Sequence, residues 1–151
     1  LKNVFFNANL ALIYSRYTIP ADEIANSKNI DPEYDEKYRP FQGQAPFIIN
    51  AILSYANPES GIEAALSYNV SGKKLHNISL FATPDIYEES FSLLNFKLAK
   101  RFAKYYQVSL TARNLLNNIQ LKTHEFNGQQ YIAESSIPGR SFGVSIAYQI
   151  R

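Results

Sequence analysis

The last eleven residues, SFGVSIAYQIR (141–151), alternate without a single slip. Phe142, Val144, Ile146, Tyr148 and Ile150 fall on one side, and Ser141, Gly143, Ser145, Ala147, Gln149 and Arg151 on the other. A period of two over this length specifies one β-strand lying between two different environments. Two architectures supply such a pair. In a soluble sandwich the apolar row faces a core; in an outer-membrane barrel it faces lipid, and the small polar row faces the lumen.

The same pattern recurs along the chain. Val4, Phe6, Ala8, Leu10, Leu12 and Tyr14 share a face opposite Asn3, Asn7, Asn9 and Ser15. Phe47, Ile49, Ala51, Leu53 and Tyr55 align opposite Asn50 and Ser54, and Ile62, Ala64, Leu66, Tyr68 and Val70 align opposite Glu63, Ser67 and Asn69. Leu94, Phe96 and Leu98 oppose Asn95 and Lys97, and Tyr106, Val108, Leu110 and Ala112 oppose Gln107, Ser109, Thr111 and Arg113. With the terminal segment this predicts about six antiparallel strands and no convincing helix.

The connections sort by length. NPESG (57–61) and KRFAKY (100–105) are short, whereas the links at roughly 18–45, 72–90 and 114–138 are long. Short turns at one end and long loops at the other are the arrangement of bacterial barrels, with the turns periplasmic and the loops extracellular. The first strand then runs outward and the last inward. Within the third link, Asn127-Gly128 predicts a hairpin, because both residues accept a positive φ.

Composition limits the alternatives. Hydrophobic residues make up 46% and charged ones 19%, with a net charge of +2, which argues against disorder and against a nucleic-acid partner. Without cysteine there is no disulfide framework and no thiolate metal site. No apolar run approaches the roughly 18 residues of a membrane helix, and a barrel, whose spans are short and half apolar, needs none.

The aromatic residues decide between the two architectures. With the short turns placed in the periplasm, Tyr55, Phe102, Tyr106 and Tyr148 fall at the periplasmic end of the apolar rows, and Tyr14, Phe47, Tyr68 and Phe142 at the other end. Phe47 to Tyr55 spans about 26 Å of strand, or roughly 20 Å along the membrane normal once tilted, approaching the separation of two aromatic girdles. The expectation is therefore lipid on the apolar face. Six strands cannot close a membrane barrel, and a six-stranded sheet would leave two edges unpaired in lipid. The chain, which lacks methionine, is thus expected to be the C-terminal part of a larger barrel, with residues 1–151 belonging to that one domain.

Specific segments carry a family resemblance. RPFQGQAPFIINAILSY, YNVSGKKL, LTARNLLNN and IPGRSFGVSIAYQI resemble, in order and spacing, the final strands of TonB-dependent outer-membrane receptors of the Bacteroidetes type, over about residues 39–151. RNLLNN is similar to that family's Asn-Leu-Phe-Asn element, and PGRSFGVSIAYQ to its Pro-Gly-Arg opening of the last strand. The chain departs from the family at its end, Tyr148-Gln149-Ile150-Arg151, where the family usually carries a terminal aromatic. The resemblance implies a receptor and transporter in the Gram-negative outer membrane rather than an enzyme, with no cofactor. It implies an N-terminal plug within the same protein, energisation by TonB, and insertion by the barrel-assembly machinery. The cargo would be an iron chelate, vitamin, glycan or peptide. Two other classes stay open, a surface or assembly barrel without transport and a soluble β-barrel binding module.

Candidate recognition residues lie in the long links. The acidic run DPEYDEKY (31–38) lacks the ordered spacing and central glycine of a calcium loop, and reads as solvated loop surface. Tyr34, Tyr38 and Arg39 are candidate ligand contacts, since aromatics and arginine are the common anchors of recognition. His76 and His124 have no metal-ligand spacing, and His124 joins the loop candidates. Lys97 and Arg113 are expected to point into the lumen, with Lys100, Arg101 and Lys104 at a periplasmic turn.

Overall fold

The computed structural model describes residues 2–79, 83–103 and 105–150; Lys104 and Arg151, both named above, lie outside the described residues. In chain order the elements are β1 (Val4–Leu12), β2 (Tyr17–Thr18), α1 (Ala21–Ile30), β3 (Tyr38–Arg39), β4 (Phe47–Asn57), β5 (Ile62–Ser71), β6 (Lys74–Asn77), β7 (Ile86–Glu88), β8 (Phe91–Phe102), β9 (Tyr106–Arg113), β10 (Gln120–Phe126), β11 (Gln129–Ser136) and β12 (Ser141–Tyr148). The fold is all-β and antiparallel apart from α1. The six segments of period two form one sheet in the order β1-β4-β5-β8-β9-β12.

Register keeps every apolar row intact. Phe6 pairs with Leu53, Leu53 with Leu66, Leu66 with Phe96, Phe96 with Ala112, and Ala112 with Phe142. A slip of one residue at any pair would send that strand's apolar set to the other face, so the alternation itself specifies the pairing. On the polar face Asn9, Asn50 and Asn69 stand side by side. The Asn50 amide donates to Asn9 at 2.8 Å and the Asn69 amide to Asn50 at 2.6 Å. This amide ladder ties three strands where apolar contact is absent.

The two faces differ in exposure in an unusual sense. Leu53, Leu110, Val144 and Ile146 are exposed, whereas Ala99 and Ser109, paired on the polar face, are buried at 3% and 8%. No described helix or strand packs broadly across either face. The large side chains fully buried among the described residues are Ile19 and Leu75, and both lie in the long links. Among the described residues, the sheet fully buries no large apolar side chain of its own.

The short turns come out as expected. Gly61 closes the first at φ +67, where a Cβ would stand 2.9 Å from the Arg101 carbonyl oxygen. The second turn passes through Ala103 at φ 49, a conformation that costs an alanine about 1–2 kcal/mol. Near it the Tyr106 and Tyr148 rings meet at 4.9 Å.

One sequence expectation is corrected. Residues 21–30 form a ten-residue helix, though no convincing helix was expected. It buries no residue and follows Pro20, which offers no side-chain cap, so neither an apolar stripe nor a capping residue marks it. What favours it is local charge: Asp22 and Glu23 sit in its first turn and Lys28 in its last, each complementing the helix dipole.

Candidate functional site

The three long links leave the same end of the six-stranded sheet and build a second layer there. The second link contributes β6 and β7, and the third contributes the hairpin β10–β11, whose tip is Asn127-Gly128 at φ 51 and +68. Together these strands make a four-stranded sheet in the order β11-β10-β7-β6. The first link adds α1 and the short ribbon β2–β3, and two hydrogen bonds near its end help fasten it to the second. Gly43 N donates to the Leu75 carbonyl at 2.8 Å, and the Gln42 side-chain amide donates to the His76 carbonyl at 2.7 Å.

Arg39 is the centre of this layer. It is 4% exposed, and its guanidinium pairs with Glu23 of α1 at 2.7 Å and with Asp85 just before β7. It also donates to the Tyr17 hydroxyl at 3.3 Å. Burial alone would lower the Arg39 pKa, but the hydrogen bonds to Tyr17 and Glu23 and the charge of Asp85 raise it, so the cation is held firmly. Removing either carboxylate would leave a poorly compensated buried charge, which makes this cluster a structural joint between two loops far apart in sequence.

Around the joint lies a cavity of about 360 Å³ lined by all three links. Seven carboxylates reach its wall: Glu23 and Asp31 at the two ends of α1, Glu33, Asp35 and Glu36 after it, Asp85 before β7, and Glu125 in β10. Arg39 and Lys73 are the cations of the wall, and Lys73 is itself paired with Glu89 at 2.9 Å. Tyr34, Tyr87, His124 and Phe126 add aromatic surface.

The surplus of negative charge shows in the ionisation of the wall. Burial, and then the neighbouring Asp85, raises the Glu36 pKa. Burial also raises that of Asp85, against the pull of the Ser79 N–H and of Arg39. Tyr34 is raised by burial and by Glu36, and burial together with Glu36 and Asp85 pushes Tyr87 up to about 12. For the two carboxylates at the end of β7 and just after it the balance reverses. Glu88 and Glu89 are held below the ordinary carboxylate range: burial opposes this, but hydrogen bonds from Gln120 and Lys74 to Glu88, and from Thr123 and Lys73 to Glu89, outweigh it.

Of the residues singled out from sequence, Tyr34, Arg39 and His124 converge on this cavity. Arg39 serves there with its guanidinium already committed to Glu23 and Asp85. His124 stacks on Tyr131 with ring centroids 5.6 Å apart. Tyr38 lines a neighbouring cavity instead, beneath the Arg16 guanidinium at 4.5 Å. His76 lies on β6, 4.0 Å from Glu88, and lines neither cavity. Among the described residues no three histidines or carboxylates cluster as a metal site. Glu23, Asp85 and Tyr87 carry no periodic signal in the sequence, since Glu23 stands in a helix without an apolar stripe, Asp85 in a loop and Tyr87 in a three-residue strand.

The aromatic residues expected to form two girdles stand on the apolar rows at the two ends of the sheet. Tyr14 lies just beyond β1, and Phe47, Tyr68 and Phe142 stand toward the long links; Tyr55, Phe102, Tyr106 and Tyr148 stand toward the short turns. No family model, curated protein or solved structure matches the chain.

Proposed function

We propose that this chain is part of the wall of an outer-membrane β-barrel receptor that takes up a scarce nutrient by TonB-energised transport, and that the acidic cavity in its long loops contacts the cargo. The observation that carries the membrane reading is the way the aromatics slip across the sheet. Through the pairings, Phe142 of β12 is level with Phe6 of β1, yet the aromatic at that end of β1 is Tyr14, eight residues further along. Eight residues are about 26 Å along a strand, and the five strand spacings between β1 and β12 are about 24 Å across it. Strands tilted by roughly 45° would bring Tyr14 and Phe142 to one height, and that is the tilt of membrane barrels.

The turn end slips in the same sense. Tyr55 is level with Leu98 of β8, and the aromatic there is Phe102, four residues nearer the turn. From Phe102 the row continues through Tyr106 to Tyr148. Aromatics at both ends of the apolar rows, with exposed and mostly aliphatic side chains between them, are what a lipid slab would ask of such a wall.

The loop layer supplies the receptor half of the reading. Binding groups favour loops held on a rigid scaffold, and here three such loops close on one cavity. Its excess of carboxylates favours a cargo that presents cationic or hydrogen-bond-donating groups. The test is growth of a strain on the cognate nutrient after deletion of residues 21–38 from the full-length protein, with surface proteolysis to verify that the barrel is assembled. Loss of growth with the barrel intact is the expected result. Unchanged growth after that deletion, and after equivalent deletions in the other two links, would reject the recognition role and leave a barrel without transport.

A further inference from the structure

Beside the acidic cavity lies a second one of the same size, about 360 Å³, whose wall contains no carboxylate. It is formed by residues 13–16, where the chain leaves β1, by residues between 38 and 46, where it returns to β4, and by Lys73 from the second link. Arg39 and Lys73 belong to both walls, and both are engaged by carboxylates.

Arg16 differs from these two. Its guanidinium carbon lies 4.5 Å from the ring centroid of Tyr38 and 5.8 Å from that of Tyr14. No carboxylate pairs with it among the described residues. Two aromatic faces restrict the guanidinium while leaving its five N–H donors open to a ligand. The Ser15 hydroxyl, which accepts from Phe41 N at 3.4 Å, keeps its own proton to donate. The wall joins apolar side chains such as Ile13, Pro40 and Pro46 to one uncommitted guanidinium and no acidic member, which favours an anion, and the planar fork of arginine suits the oxygens of a phosphate.

Position narrows the source. Tyr14 continues the apolar row beyond Leu12 and is 82% exposed, so the cavity sits where that row ends and the loop layer begins. In a barrel this is the height of lipid headgroups. We propose that the cavity binds a phosphate group through Arg16, and that the phosphate belongs to a lipid headgroup at the outer margin of the membrane. The lipid source rests on the barrel reading above; the phosphate chemistry does not.

The experiment uses the full-length protein purified in a neutral detergent, with two probes, phosphatidic acid and inorganic phosphate. Native mass spectrometry counts retained lipid, and calorimetry follows phosphate. Wild type is expected to retain phosphatidic acid, and Arg16→Gln to retain at least tenfold less, with Arg16→Lys partly restoring it. Arg16 is exposed and holds no carboxylate, so these variants should fold; resistance to surface protease checks this. Tyr38→Ala, which keeps the charge but removes one ring, is the second variant and should weaken retention several-fold. Phosphate bound as tightly as the lipid, and equally dependent on Arg16, would overturn the lipid source while upholding the phosphate site. Equal retention of both probes by wild type and Arg16→Gln would overturn the site. A protein that stays monodisperse without detergent would instead reject the barrel reading, and the phosphate arm alone would then decide.

Discussion

The side-chain amide of Asn114 donates to the carbonyl oxygen of Gly139 at 2.9 Å, binding the residue after β9 to the approach to β12 across the whole third link. Asn114 is 4% exposed and sits at φ 53, a conformation that asparagine tolerates better than most residues. Its backbone N–H donates to the Asn95 side chain at 3.0 Å, and its own side-chain oxygen accepts from Asn118 N at 3.3 Å. Asn118 in turn donates to Ser92 at the start of β8, at 2.9 Å and 2.8 Å. One asparagine thus fastens three strands at the base of a long loop.

Asn114→Ala should therefore be costly. It removes two side-chain bonds from a buried position, leaves the Gly139 carbonyl without that donor, and puts a Cβ-bearing residue of low tolerance at positive φ. The expected loss is about 2–4 kcal/mol in reversible unfolding in lipid. Asn114→Gly keeps the backbone conformation and should cost less. Equal losses for the two would mean that backbone conformation contributes nothing at this site.

A second prediction separates the faces. Leu110 and Thr111 are adjacent, so they share a depth and differ in facing. Leu110, 46% exposed and paired with Leu98 and Val144, should resist charge: Leu110→Arg is expected to cost about 2–4 kcal/mol near the middle of a membrane. Thr111 lies on the polar face between Lys97 and Gly143. Thr111→Arg should cost well under half as much, even with Lys97 as a like-charged neighbour. Ser109 is the poorer comparison, because at 8% exposure it offers an arginine no room. Matching costs for Leu110→Arg and Thr111→Arg would count against lipid on the apolar side.

The third prediction is a gain. Ala103 holds φ 49 in the short turn between β8 and β9. Glycine relieves that strain but loses more entropy on folding, so Ala103→Gly should stabilise by a net of about 0.5–1 kcal/mol. The denaturant midpoint should rise without a change of slope. A lower midpoint would show that the alanine methyl is supported by contacts outweighing its strain.

The six-stranded sheet was legible because its information is local. Each strand of Phe47–Asn57 or Ser141–Tyr148 type declares itself by period two, and the alternation then fixes register by excluding one-residue slips. Asn127-Gly128 declared its hairpin in the same way. The loop layer was illegible because its order is non-local. β7 is three residues long, β6 four, and their pairing is irregular between Leu75 and Asn77. The bond from Arg39 to Asp85 joins two residues that no local pattern connects. Tyr34, Arg39 and His124 could be named from residue type and loop position, but their meeting place depended on that layer.

The last prediction concerns acid. Glu36 has a pKa raised above its ordinary 4.5, chiefly by burial, so on acidification it takes up a proton before unperturbed carboxylates do. For such a group the folded loops bind the proton more tightly than the unfolded chain. Its favourable contribution is complete below the ordinary pKa and is lost as pH rises through the raised one. Glu88 and Glu89 have lowered values, and their contribution is present above the ordinary 4.5 and is lost as pH falls through the folded pKa. The two windows are separate. Descending from neutrality, the cavity should first lose negative charge while the loop layer tightens, and only at lower pH should β7 and its neighbours loosen. Affinity for a simple polyamine probe should therefore fall above the ordinary carboxylate range, while amide protection in β6, β7 and β10 holds or rises. Protection should then collapse below that range. Affinity and protection falling together from neutrality would show that the cavity carboxylates and the Glu88–Glu89 contacts titrate as one unit, against the separation argued here.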